Sequence, residues 1–282
     1  MSMPGTIGGA RIVFRDEFME KIGIIGFGFV GGAIANAFDG YATLVIMDPA
    51  KGHNATYEDL IECSGIFICV PTPQDDDGTC DTSILGEILC DLQSRKYTGV
   101  IISKCTAPPD WYESLNILYP NLIHAPEFLT AAKANQDYIN GKFAFIGGRV
   151  QAYQREAERI IRLSQQNLES VVQCTAAEAA MAKYAINTFM ATKVVFMNEL
   201  ENLCSTTGVD YNNVARMIKE DSRIGRSHLQ VPGPDGAFGF GGACFPKDTS
   251  ALLKFAEQHN VALNVLDVAI KKNTLLRLKE PK

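Results

Sequence analysis

Lys21–Gly32 reads KIGIIGFGFVGG. Ile22–Ile25 is a short apolar run, and the glycines after it break it sharply. From Gly32 to Phe38 the chain becomes Ala-rich and helical in pattern. Gly26, Gly28 and Gly31 stand in G-x-G-x-x-G spacing, with Phe29 and Val30 between the last two. Gly26 allows a tight turn, Gly28 lets the backbone approach a diphosphate, and Gly31 lets the helix pack close to the strand. The helix N-terminus then offers free N–H groups and a positive dipole end to the phosphates. A second apolar run, Ala42–Met47, stops at Asp48, twenty residues after Gly28. A carboxylate there accepts from ribose hydroxyls and repels a 2′-phosphate. The whole pattern predicts a dinucleotide-binding fold that takes NAD rather than NADP.

Outward from this segment, further runs of strand length lie at Gly65–Val70, Gly99–Ser103, Leu122–Ala125, Phe143–Gly147 and Leu168–Val172. Helical stretches, notably Thr82–Gln93 and Val150–Gln166, separate several of them. Such alternation, with runs apolar on both faces, predicts a parallel sheet covered on both sides. After Cys174 the texture changes. Ala176–Leu203 is one long helical pattern without Gly or Pro, and Tyr211–Lys219 is a shorter one. A loop rich in Gly and Pro, Arg223–Gly242, leads through Cys244 to helical patterns at Thr249–His259 and Ala262–Leu278. The expected layout is an N-terminal extension (1–20), a Rossmann-like, doubly wound α/β domain (21–174) and an all-α domain with a cysteine-bearing loop (175–282).

With 46% apolar and 21% charged residues the chain is an ordinary globular one. A net charge of −6 carries no general nucleic-acid footprint. No run approaches the length of a membrane span, and residues 1–20 lack the apolar core of a secretory leader. The eight cysteines are scattered without a C-x-x-C, which fits reduced thiols rather than a zinc site or a disulfide framework. These features predict a cytoplasmic protein without a membrane or nucleic-acid partner and without a metal. Asp75-Asp76-Asp77-Gly78 lacks the spaced ligands of a calcium loop and reads as a solvated turn.

Cys244 differs from the other thiols. It follows Gly241-Gly242-Ala243 and precedes Phe245-Pro246, and proline favours a first helical turn. A helix start and the nearby Lys247 both lower a thiol pKa. Asp248, one turn further on, could manage protons or serve only as a partner of the helix dipole. Lys183 and Asn187, four apart, share a helix face. Either the lysine snorkels to solvent or the pair forms a donor cluster for an oxyanion. Glu127 follows a short strand and falls at the crevice of an open α/β sheet.

The segment Gly239-Phe-Gly-Gly-Ala-Cys-Phe-Pro-Lys-Asp248 resembles the signature of the UDP-glucose/GDP-mannose dehydrogenase family. Gly26–Gly31, Val70–Pro73, Pro126–Leu129, the helix with Lys183, Tyr184, Asn187, Asn198 and Glu199, and Arg223–Gly225 are similar in the same order. The resemblance implies NAD-dependent oxidation of the C6 alcohol of a nucleotide sugar, such as UDP-glucose, to the carboxylate. It implies that Cys244 attacks the aldehyde formed first, and that Lys183 and Asn187 stabilise the oxyanion. Asp248 would help activate water, and Glu127 would share a proton network with Thr106. Thr72, Thr106 and Lys247 would contact the cofactor, while Phe128, Leu129, Arg223 and Gly241 would line the substrate site beside Glu127, Lys183 and Asn187.

Three features depart from that family. Ala131 stands where an acid is common, the stretch between Arg223 and Cys244 is long, and the chain stops before a third, nucleotide-closing domain. A one-step β-hydroxyacid dehydrogenase, or a non-catalytic NAD-binding subunit that needs a separate polypeptide, are the alternatives. Leu263, Leu266, Ala269 and Ile270 recur at helical spacing and predict a homodimer to which the last helix contributes; the family resemblance implies that Arg223 reaches the partner's site.

Overall fold

The apolar runs that alternate with helices become the strands of one eight-stranded sheet. The computed structural model describes residues 19–75 and 77–279. Most of the expected extension (1–20) and Asp76 of the acidic turn lie outside the described residues. The strands are β1 (Lys21–Ile25), β2 (Thr43–Asp48), β3 (His53–Asn54), β4 (Gly65–Ile68), β5 (Val100–Ser103), β6 (Leu122–His124), β7 (Phe143–Gly147) and β8 (Ser170–Cys174). Their order is β3-β2-β1-β4-β5-β6-β7-β8.

β2, β1, β4, β5 and β6 are parallel, with Ile24 opposite both Ile46 and Phe67. The wholly parallel sheet expected from sequence needs correction at its edges. β3 runs antiparallel to β2, and β7 runs antiparallel to β6. The pairing of His124 with Gly147 places Phe143 beyond the end of β6. The chain therefore re-enters from the side on which β6 leaves, which reverses β7, and β8 follows β7 in parallel.

Side chains alternate across the strands, so Ile24 and Ile25 serve opposite faces. One face packs α1 (Phe29–Ala37), α5 (Ala134–Ile139) and α6 (Gln151–Ser164) over Ile24, Phe67 and Ile102. The other packs α2 (Tyr57–Leu60), α3 (Ser83–Ser94) and α4 (Pro109–Leu118) over Ile25, Ile66 and Ile68. The sheet is thus doubly wound.

α7 (Ala176–Thr207) runs for 32 residues. A reciprocal cap between Thr175 and Glu178 starts it, and Gly208 at φ 73 ends it. Its first turns, with Ala176 and Ala180, belong to the sheet's core, whereas Tyr184, Ala191 and Val195 belong to the helical region. α8 (Tyr211–Ile218), α9 (Cys244–Gln258) and α10 (Asn264–Arg277) complete that region. α9 begins at Cys244 rather than at Thr249, with Pro246 in its first turn.

The stripe predicted for a dimer interface is also corrected. Leu266 and Ala269 are buried against α7 and α9 of their own chain, and Leu263 and Ile270 pack beside them. The apolar residues that α10 exposes are Val265, Val268 and Leu275. No described helix is long and apolar enough to cross a membrane.

Candidate active site

The turn between β1 and α1 is built for close backbone approach. Gly26 takes φ +90, and a Cβ on Gly31 would overlap the Gly26 carbonyl oxygen. A Cβ on Gly28 would meet nothing within 4 Å, so space lies open above that residue. No side chain caps the start of α1, and no acid stands in its first turn. The leading N–H groups, with Phe29 and Val30 at the helix start, are free to receive an anion. Asp48, at the end of β2, accepts from the Phe27 N–H at 2.7 Å. The His53 ring lies 4.1 Å from that of Phe27. This cradle fits a dinucleotide: open space over glycine, uncapped N–H groups and one carboxylate at the end of β2.

Two neighbouring loops bear Thr72, which is buried, and Thr106, which is half-buried. The Cys80 thiol joins them, lying 3.3 Å from the Thr106 carbonyl and 3.8 Å from that of Thr72.

Beyond β6 the chain passes through Pro126 to Glu127, which is buried rather than a solvated loop acid. Its Oε2 accepts from the Leu129 N–H at 2.6 Å, and its Oε1 accepts from Lys183 Nζ at 3.1 Å. Lys183 also donates to the Glu127 carbonyl and sits 5.0 Å over the Phe128 ring. At 3% exposure it does not snorkel. Asn187, one turn along α7, donates to Asp248 Oδ2 at 2.6 Å, and Lys247 Nζ donates to Oδ1 at 2.8 Å. Asp248 is 1% exposed, so it is a buried, doubly held carboxylate rather than a surface dipole partner.

Cys244 is the first residue of α9 and is half-buried. Its pKa corrects the reading from sequence. Burial pushes the thiol above its ordinary value, and the carboxylates of Glu127 and Asp248 add to the rise. Lys183 and Lys247 oppose it without reversing it. Neighbours along the chain favour the thiolate, but desolvation and the acids brought in by the fold win.

The loop before Cys244 is tied from two helices. Asn198 on α7 accepts from the Gly239 N–H at 3.0 Å. Asn273 on α10 accepts from the Phe240 N–H at 2.6 Å and donates to its carbonyl at 3.0 Å. Asn273 escaped the sequence reading, since an asparagine amid Lys271, Lys272 and Thr274 looks like part of a solvated face. Lys104 escaped it too. It lies buried at the end of β5, 5.9 Å from the Tyr138 ring centre, and burial pushes its ammonium down to about 8.

Phe128 packs on Phe143 and Phe145, Leu129 is half-buried beside it, and Gly241 lies against the Arg277 guanidinium. Arg223 is not brought into this cluster: it is exposed and pairs with Asp221 at 2.6 Å. The arrangement places the Cys244 thiol among two ammonium groups and two carboxylates.

The NAD binding domain model of the UDP-glucose/GDP-mannose dehydrogenase family matches residues 48–165, and the family's central domain model matches residues 177–275. The UDP-glucose 6-dehydrogenase TuaD of Bacillus subtilis (strain 168) is 29% identical, over 92% of this chain and 64% of that protein. The UDP-glucose 6-dehydrogenase of Pseudomonas aeruginosa is 32% identical, over 74% of this chain and 48% of that protein. A UDP-glucose dehydrogenase structure from Pyrobaculum islandicum superposes with a TM-score of 0.76 at 23% identity, covering 94% of this chain and 70% of that one. The chain thus spans about half to two thirds of the length of these curated relatives. Two consecutive domain models account for strands β3 to β7 and for the helices that carry Lys183, Asn187 and Cys244, and the chain belongs to the UDP-glucose/GDP-mannose dehydrogenase family.

Proposed function

We propose that this chain carries out the NAD-dependent oxidation of a nucleotide-sugar C6 alcohol to the carboxylate, with UDP-glucose as the substrate. One observation carries the reading: Cys244 shares its surroundings with Lys183, Glu127 and Asp248, and the Lys183–Glu127 and Asn187–Asp248 contacts tie these groups together. NAD, when bound by the Gly26–Gly31 turn and Asp48, supplies the hydride acceptor for both oxidations. Across the reaction, RCH2OH, water and two NAD⁺ give RCOO⁻, two NADH and three protons.

The residues act as follows. The first oxidation gives an aldehyde. The Cys244 sulfur bonds to its carbon, and the thiol proton leaves through the adjacent carboxylates. Lys183 and Asn187 donate to the oxygen that becomes negative. Loss of the second hydride leaves a thioester, and water held by Asp248 displaces the Cys244 sulfur. Glu127, with Thr106, passes protons between the site and solvent, while Lys247 holds the Asp248 carboxylate in place by its hydrogen bond. Thr72 and Thr106 border the cofactor; Phe128, Leu129, Gly241 and Arg223 border the substrate. The active unit is a homodimer in which Arg223 meets the second subunit's site. Exposed Phe189 and Phe196 on α7 support such an association.

The test incubates purified protein with NAD⁺ and a panel of nucleotide sugars while NADH and product are counted. Two NADH per carboxylate from UDP-glucose is the expected result. One NADH per product indicates a one-step β-hydroxyacid-type dehydrogenase. No NADH from any sugar overturns the reading.

A further inference from the structure

Lys193 stands ten residues beyond Lys183 on α7, and its ammonium has no part in the cluster around Cys244. It is 8% exposed, and a lysine that deep needs acceptors for its three N–H groups. All three go to backbone carbonyls of one short segment: Ile224 at 3.0 Å, Gly225 at 3.2 Å and Ser227 at 2.6 Å. The segment curls to bring those oxygens together. Gly225 takes φ +78, and His228 follows at φ +61.

Little else holds this segment. Ile224 is exposed, and Arg223 pairs with Asp221, two residues away. Among the described residues, the hydrogen bonds that join 224–228 to another element all come from Lys193. The chain is anchored again at Leu229, which is buried and whose carbonyl accepts from the Tyr211 hydroxyl at 2.6 Å. The curl has two outputs. It presents Arg223 at its start. At its end the His228 ring packs 5.4 Å from that of Phe245, the residue after Cys244.

We infer that Lys193 is a positioning residue, which clamps the 224–227 carbonyls and so fixes both Arg223 and the His228–Phe245 contact beside the thiol. Its effect on catalysis rests on the function proposed above; its effect on the loop does not. A buried ammonium bonded to three carbonyls contributes more than an ordinary hydrogen bond, and its loss frees carbonyls that water can solvate. The loop then opens while the helical core stays folded.

The experiment compares the parent with Lys193→Met, which keeps the apolar stem and removes the donors, and Lys193→Arg, which restores charge and donors. Trypsin digestion mapped by mass spectrometry reads the loop, because Arg223 and Arg226 lie within it. Cleavage after these arginines in Lys193→Met should accelerate about tenfold or more, with other sites unchanged. With the sugar substrate, KM should rise about tenfold while kcat stays within about twofold. Lys193→Arg should return both quantities toward the parent. Parental cleavage, cleavage accelerated at all sites, or faster loop cleavage with parental KM each overturns the assignment. If no nucleotide sugar is turned over, the proposed function fails while the digestion still judges the clamp. If Lys193→Met does not fold, Lys193→Ala, which also lacks the donors and leaves room for water, takes its place under the same criteria.

Discussion

Lys183 and Glu127 form an ion pair almost without water, their side chains 3% and 8% exposed and Nζ 3.1 Å from Oε1. Removing one partner strands the other. Lys183→Met should destabilise the fold by about 3–5 kcal/mol, because Glu127 is left buried without its partner. Combining it with Glu127→Gln should recover most of that loss, although the double variant should remain inactive. Urea midpoints of the two singles and the double measure this, and strictly additive losses would contradict it.

The raised thiol pKa of Cys244 gives a second expectation. Little thiolate exists at pH 7, so alkylation of Cys244 by iodoacetamide should keep accelerating between pH 8 and 10. Glu127→Gln should move the profile to lower pH, since it deletes an acid that raises the thiol and releases Lys183, which lowers it. Peptide mapping is needed, because Cys90 is an exposed thiol. A plateau of the parental rate below pH 8 would show a thiol already ionised.

His124 links stability to acid. It is fully buried, stacked 4.0 Å from Tyr112, with neither ring nitrogen partnered among the described residues, and burial pushes its pKa down to about 3. The unfolded chain takes up a proton near pH 6.5 that the folded chain refuses until near pH 3. Stability is therefore full above pH 6.5 and falls below it, by about 1.4 kcal/mol per pH unit at the steepest. His124→Phe should lose less stability than the parent between pH 7 and 4. Equal slopes in paired denaturation series would sink the idea.

Asp48 is expected to set cofactor choice. Asp48→Ser removes the charge that repels a 2′-phosphate and the tie to Phe27. The ratio of NADP to NAD dissociation constants should fall about tenfold or more, which calorimetry can read. An unchanged ratio would place discrimination elsewhere.

What could be read from sequence was what is local. The strand, glycine turn and helix from Lys21 onward are fixed by consecutive residues, and so is a helix start close to Cys244, though not its first residue. The fate of Lys183 stayed open because its partner Glu127 lies 56 residues away, and Asn187 finds Asp248 at a separation of 61. The same distance explains the thiol: its sequence neighbours favour ionisation, while burial and Glu127 come from the fold. β7 looked like any other strand, and its direction depends on the side from which the chain re-enters. Lys193 and Asn273 looked like ordinary polar residues of amphipathic helices, because backbone carbonyls leave no mark in a sequence.

α7 carries Lys183, Asn187, Lys193 and Asn198 on one uninterrupted helix. At 1.5 Å per residue, the first and last of these stand roughly 22 Å apart along its axis. A helix without Gly or Pro resists bending, so the four groups keep fixed spacing. Any rearrangement that accompanies ligand entry must therefore occur in the parts that lean on this strut: the Gly239–Cys244 loop, the Ile224–Ser227 curl, or the sheet edge at Glu127. α7 is the molecule's ruler, and motion in the site is motion measured against it.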